Sequence, residues 1–373
     1  MSEPFWGRGK DKLEPGEATS HPSGDEGRGA RTNATGRFET QSRVLVDDGW
    51  GTLDEEPPKL QTTITVDATR SIIARNKSPD ISFDRSINPY RGCEHGCVYC
   101  FARPTHAYLG LSPGLDFESR LFVKPKAADL LTQELLDPKY RPRVIAIGTN
   151  TDPYQPIERQ YGIMRQVLEV LAKFRHPVGI VTKSHLVTRD IDILSEMARQ
   201  NLARVAVSVT TLDRKLARKM EPRASTPERR LDAIKALSSA GIPTSVMFAP
   251  VIPALNDPEL ESVLETAAQM GASQAGFVVL RLPLEIKDLF REWLDEHFPD
   301  KAKHVMSLIR EMRGGRDYDP EWGSRMRGFG AYASIISRRF HLAAKRFNLR
   351  KPFPLYDLTK FERPQMGGQL KLI

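Results

Sequence analysis

NPYRGCEHGCVYCFARPTH, residues 88–106, contains all three cysteines of a 373-residue chain. Cys93, Cys97 and Cys100 are spaced x3 and x2, with no thiol anywhere else. A disulfide framework spreads an even number of cysteines along a chain, so this cluster reads as a metal site in a reducing compartment. Thiolate is the soft ligand that iron–sulfur clusters take, and three on one short loop suit three corners of a cubane. Gly92 and Gly96 let the backbone turn tightly around such a group. No fourth cysteine remains, so one iron would stay open to a substrate or cofactor. The competing reading is structural zinc, with His95 or His106 completing a Cys3His set. Against it, His95 sits inside the tight loop, and the usual second zinc knuckle is absent from the sequence.

Outward from this stretch, β-rich runs alternate with amphipathic helical patterns. The strands are expected at about 82–88, 144–148, 178–182, 203–209, 244–248 and 274–280, and the helices at 157–174, 189–201, 226–240 and 258–270. Ser225 before Thr226-Pro227-Glu228, and Asp257 before Pro258-Glu259, are helix-start signals, and Gly241 is a C-cap glycine. Strict alternation implies parallel strands with right-handed crossovers. Six units fall short of the eight that close a barrel. The expected fold is therefore α/β, a partial (β/α)6 TIM-type barrel over residues 80–282. A basic, mainly helical extension follows at 283–373, helical to about 350. Reactive loops sit at the carboxyl ends of such strands, which is where the cysteines fall.

Residues 1–60 are rich in Gly, Pro, Ser and mixed charge, without hydrophobic period, and read as a disordered tail with one docking segment at about 44–53. No apolar run approaches membrane-spanning length and no signal peptide is present, so the expected compartment is the cytoplasm, with no membrane partner. The formal charge is +8, and residues 301–373 alone carry 16 Lys+Arg against 6 Asp+Glu. That segment suits a phosphate backbone as well as it suits a plain solvated surface.

Cys-x3-Cys-x2-Cys after a first strand resembles the signature of the radical S-adenosylmethionine (SAM) superfamily. The resemblance implies a [4Fe–4S] cluster on Cys93, Cys97 and Cys100, with SAM chelated at the open iron and cleaved to a 5′-deoxyadenosyl radical. It also implies an external one-electron reductant of flavodoxin or ferredoxin type. By position in the family pattern, Tyr99 would pack on adenine. Asn150, Thr151 and Asp152 would stand in for the Gly-Gly-Glu-like segment that receives the SAM amino group, from which this chain departs. Lys183 and Ser208, at strand ends, would meet the methionyl carboxylate and the carboxylate or ribose; the alternatives for these residues are core, turn and rim. Met247 and residues 250–253 would line the adenosyl pocket, Arg281 would face substrate, and Arg91 would serve cluster or phosphate. Together with GTNTDPYQPIE (residues 148–158), the cysteine stretch resembles the spore photoproduct lyase, or DNA repair photolyase-like, branch over about residues 80–280. The likeness is specific for the cofactor chemistry, and a nucleic acid or nucleotide-like substrate is the reading that the basic C-terminal segment supports. The alternative is a non-catalytic, metal-binding, nucleic-acid-associated protein. The branch's hydrogen-donating extra cysteine has no counterpart here, which weakens thymine-dimer reversal as the reaction.

Overall fold

The computed structural model describes residues 27–39 and 60–364. Six parallel strands stand side by side in chain order: β1 (Arg85–Ile87), β2 (Ile145–Ile147), β3 (Val178–Thr182), β4 (Ala203–Ser208), β5 (Thr244–Val251) and β6 (Gln274–Val279). Their crossovers carry α1 (Ala127–Leu136), α2 (Ile163–Lys173), α3 (Ile191–Arg199), α4 (Pro227–Ser239) and α5 (Leu260–Gln269). This is the partial barrel expected from the alternation.

Along β3, Val178, Ile180 and Thr182 are buried while Gly179 and Val181 are half-buried, the period of two that a strand requires. Val178 and Ile180 share one core with Val167, Leu168 and Leu171 of α2 and Leu194 of α3. At about 25 cal/mol per Å² of apolar surface, that layer supplies the main drive for the fold.

The structure adds the helix α1, which the periodicity did not mark, and two further features, and it revises several boundaries. An antiparallel strand, Ile73–Arg75, extends the sheet beyond β1. Thr63–Val66, Arg120–Val123 and Tyr90–Arg91 form a separate three-stranded sheet. The helix expected at 157–174 is interrupted, because Gly162 at φ +60° ends Glu158–Tyr161 before α2 begins. Short 3-10 turns replace the first turn expected for α3 and for α5. The cap of α4 is Thr226, whose hydroxyl accepts from the Arg229 amide, rather than Ser225. Gly241, at φ +77°, follows α4 as expected.

Beyond the barrel lie α6 (Ile286–His297), α7 (Pro299–Glu311) and α8 (Gly330–Arg346). The first two share a core with Met220, Leu280 and the residues around Cys97. The third is tied to α5 by Arg339, which reaches Glu261 at 2.6 Å.

Residues 27–39 correct the expectation of an unordered tail over 1–60: Ala30 and Thr32 are buried. Ala30 packs with Leu115 and Leu289, and the Gly29 and Ala30 amides are held by the buried Glu118 carboxylate, a long-range pairing that hydropathy does not reveal. The docking segment expected at about 44–53 lies outside the described residues. Among the described residues, no helix is long and apolar enough to cross a membrane.

Candidate functional site

The cysteine loop leaves β1 through the short strand Tyr90–Arg91 and then winds through consecutive tight turns. The Cys93 amide donates to the Phe117 carbonyl at 2.9 Å, Cys100 to Cys97 at 3.1 Å, and Arg103 to Cys100 at 3.1 Å. Gly92 sits at φ +76°, and a Cβ there would lie 2.9 Å from the Phe117 carbonyl oxygen. The turn therefore has room for glycine alone, as the sequence implied.

Cys93 and Cys97 are buried and Cys100 is half-buried. Burial pushes the Cys93 thiol well above its ordinary range, and the Asp152 carboxylate and the other two thiols add to the effect. Burial likewise raises Cys97, against the pull of Lys183. The buried Cys93 and Cys97 become thiolates only with cationic compensation, which bound iron would supply. Among the described residues, no three His, Cys, Asp or Glu side chains converge to hold a single ion. A cubane takes each thiolate at a separate corner and needs no such convergence, so these residues fit a cluster. Each histidine of the zinc reading has one ring nitrogen engaged elsewhere, while the buried Nδ1 of His106 has no partner among the described residues. His95 Nδ1 faces Asp152 at 3.4 Å, and His106 Nε2 donates to the Arg120 carbonyl at 2.9 Å. Burial lowers the His95 pKa to about 4.

The remaining candidate residues surround this loop on the carboxyl ends of β2, β3 and β4. Lys183 Nζ lies 5.8 Å from the centroid of the Tyr99 ring. The Tyr99 hydroxyl donates to Glu221, which pairs with Arg230, and Arg230 donates to the Ser208 carbonyl at 3.2 Å. Tyr99, Lys183 and Ser208 are thus brought together around one buried network. Nothing in the sequence marks Glu221 or Arg230, since an acid and a base nine positions apart in a polar stretch read as surface. Burial raises the Glu221 carboxyl, and Arg230 offsets part of that.

Asn150 and Thr151 are held against the loop. The Asn150 amide donates to Asn88 Oδ1 at 3.1 Å, and Thr151 Oγ1 donates to the Tyr90 carbonyl at 3.0 Å. Asp152 accepts from Thr182 Oγ1 at 2.7 Å, from the Tyr154 amide at 2.9 Å and from the Lys183 amide at 2.8 Å. Both of its oxygens are in use, so Asp152 joins the β2 loop to the end of β3.

Met247, on β5, packs against Gly276 of β6, and Ile252 and Leu255 share a core with Val98 and Tyr99. Arg281 lies over the Phe101 ring at 5.1 Å and reaches the Tyr318 hydroxyl at 3.3 Å, at the rim beside Cys100. Arg91 pairs with Asp67 at 2.5 Å instead of turning to the thiols.

Residues 87–267 match the family described as the radical SAM superfamily. An uncharacterised protein of Mycobacterium tuberculosis is 39% identical over 242 residues, covering 64% of this chain and 71% of its own. An uncharacterised protein of Methanocaldococcus jannaschii is 28% identical over 219 residues, 59% of this chain and 78% of its own. Among solved structures, a spore photoproduct lyase variant superposes with a TM-score of 0.54 at 16% identity, over 77% of this chain and 79% of the other. At that identity the likeness is one of fold.

Proposed function

The chain belongs to the radical SAM superfamily of enzymes, and on that footing we propose that Cys93, Cys97 and Cys100 hold one [4Fe–4S] cluster that cleaves SAM reductively to act on a nucleic-acid-related substrate. The observation that carries this reading is the loop itself: three thiols, two of them buried, at the carboxyl end of β1 in a chain with no other cysteine. With cluster and SAM bound, one electron delivered to the sulfonium gives methionine and a carbon radical able to abstract hydrogen from substrate.

The protein's own part is binding, orientation and exclusion of water. Lys183 is the cation placed for the methionyl carboxylate, beside Tyr99, whose ring would take the adenine. Ser208 is buried next to the Arg230–Glu221 pair and would meet the ribose or the carboxylate. Asn150, Thr151 and Asp152 would form the wall toward the SAM amino group, Asp152 contributing its negative charge and its hold on β3. The Arg281 and Phe101 rim is the approach for substrate, where a cation over an aromatic ring suits a base or a phosphate. The net charge of the final 73 residues points the same way. An external one-electron donor of flavodoxin or ferredoxin type would supply the electron.

The test is anaerobic reconstitution with iron and sulfide, followed by dithionite and SAM. Release of 5′-deoxyadenosine is expected, and protein with three thiols' worth of bound cluster that releases none above background ends the proposal. Turnover with deuterated SAM in a nucleic-acid-containing extract then locates the abstracted hydrogen. Label confined to protein would remove the nucleic-acid part of the reading.

A further inference from the structure

Immediately behind the cysteine loop, Arg103 is completely buried and uses all five of its N–H donors. Nε donates to the Cys97 carbonyl at 2.9 Å, and Nη1 donates to Pro113 at 3.1 Å and Gly114 at 2.9 Å. Nη2 donates to the Gly96 carbonyl at 3.2 Å and to Glu118. A guanidinium offers no further donor, so this is a complete set. Glu118 is equally buried, and its second duty is to the N-terminal segment. It accepts from the Gly29 amide at 2.9 Å and the Ala30 amide at 2.8 Å.

The same segment lies directly on the cysteine loop. A Cβ at Gly29 would stand 1.6 Å from the Gly96 carbonyl oxygen, a backbone-to-backbone approach that only glycine permits. Neighbouring residues keep it there. Arg28 reaches the Glu118 carbonyl at 2.7 Å, and Asn33 exchanges two 3.0 Å hydrogen bonds with Asp116.

We propose that Arg103 and Glu118 are positioning residues for the cluster, a charge-compensated anchor that sets its reduction potential, and that residues 28–33 are the fixed cover of that anchor. The inference rests on the cluster reading above. Its physical basis is that the pair is neutral as a whole and bonded to the carbonyl of a cluster ligand. Breaking it on either side leaves an unscreened charge in a buried setting next to a centre that gains an electron on reduction. An unpaired guanidinium favours the reduced cluster, and an unpaired carboxylate disfavours it. A purely structural pair would weaken cluster retention in both variants without shifting the potential in opposite directions.

The experiment is a redox titration, followed by electron paramagnetic resonance, on full-length protein reconstituted anaerobically. Glu118→Gln is expected to raise the midpoint potential and Arg103→Gln to lower it. Arg103→Lys keeps the charge but lacks the planar fork, so it should return the potential toward wild type while holding less iron. Gly29→Val, which leaves both charged residues in place, should lose its cluster in air about tenfold faster, as expected when charge-assisted hydrogen bonds that close a local opening are lost. Iron-loaded variants whose potentials stay put or move in the same direction overturn the anchor. Wild-type air stability in Gly29→Val overturns the cover. If the wild-type protein binds no cluster at all, it is the functional reading that fails, and iron analysis shows this before any titration. Should Arg103→Gln fail to load, Glu118→Gln decides the sign alone.

Discussion

At the scale of single residues, the site separates into groups that would hold iron, groups that would hold SAM and groups that hold the protein. Cys93→Ser, Cys97→Ser and Cys100→Ser should each abolish cluster retention and 5′-deoxyadenosine release, because no other thiol exists to substitute; iron and sulfide analysis checks this. A single variant that keeps full iron would detach that residue from the cluster. Lys183→Met should leave iron content intact and weaken SAM binding about tenfold or more, the usual effect of removing a charged hydrogen-bond donor. Equilibrium dialysis of the loaded protein measures it, and unchanged affinity would return Lys183 to the rim. The thiols and Lys183 were legible in the sequence because their chemistry or their strand-end position is local. Glu221 and Arg230 were not, since their meeting with Tyr99 and Ser208 depends on the tertiary path between β4 and α4. Asp152 was legible as an acid at a strand end. That its oxygens are taken by Thr182 and by the Tyr154 and Lys183 amides could be seen only in the fold.

At the scale of elements, the period-two and period-3.6 patterns found all six parallel strands and the crossover helices α2 to α5, because each buries one face against the same core, but they missed α1. Boundaries failed where backbone conformation, not hydropathy, decides. Gly162 and Gly148 make the contrast testable. Both have positive φ, +60° and +86°. A Cβ at Gly162 meets nothing within 4 Å, whereas one at Gly148 would lie 1.9 Å from the Val181 carbonyl oxygen of β3. Gly162→Ala should therefore cost only the left-handed backbone penalty of about 1–2 kcal/mol. Gly148→Ala must also force apart the ends of β2 and β3, where Asp152 and Lys183 are joined, and should cost clearly more and weaken SAM binding as well. Urea midpoints of the two variants measured side by side decide this. Equal losses would mean that the β2 loop yields freely and is not a rigid wall of the site.

At the scale of the whole molecule, the end of the barrel opposite the cysteines is closed by the C-terminal segment, which the sequence showed only as basic and polar. Arg204 of β4 lies 3.9 Å from the centroid of the Tyr356 ring, and the Glu362 amide donates to the Phe174 carbonyl at 3.0 Å. Phe361 stands edge-on to His176, with ring centroids 5.6 Å apart. His176 is buried there in its neutral form. Nδ1 donates to the Pro177 carbonyl at 3.0 Å, and Nε2 accepts from the Tyr140 hydroxyl at 2.8 Å. Burial lowers its pKa to about 4, and burial does the same to His106 behind the cysteine loop. An unfolded histidine titrates near 6.5, so between about pH 6.5 and 4 the unfolded chain binds protons that the folded chain refuses. Stability from these two residues is complete above about pH 6.5 and declines as the pH falls toward 4. The urea midpoint of the wild-type protein should accordingly drop between pH 7.5 and 5, and His176→Gln, which cannot take up that proton, should flatten the decline while lowering the midpoint at pH 7.5. A variant with the wild-type slope would show that His176 is already accessible to protons in the native state, and that the C-terminal segment does not seal this end of the barrel.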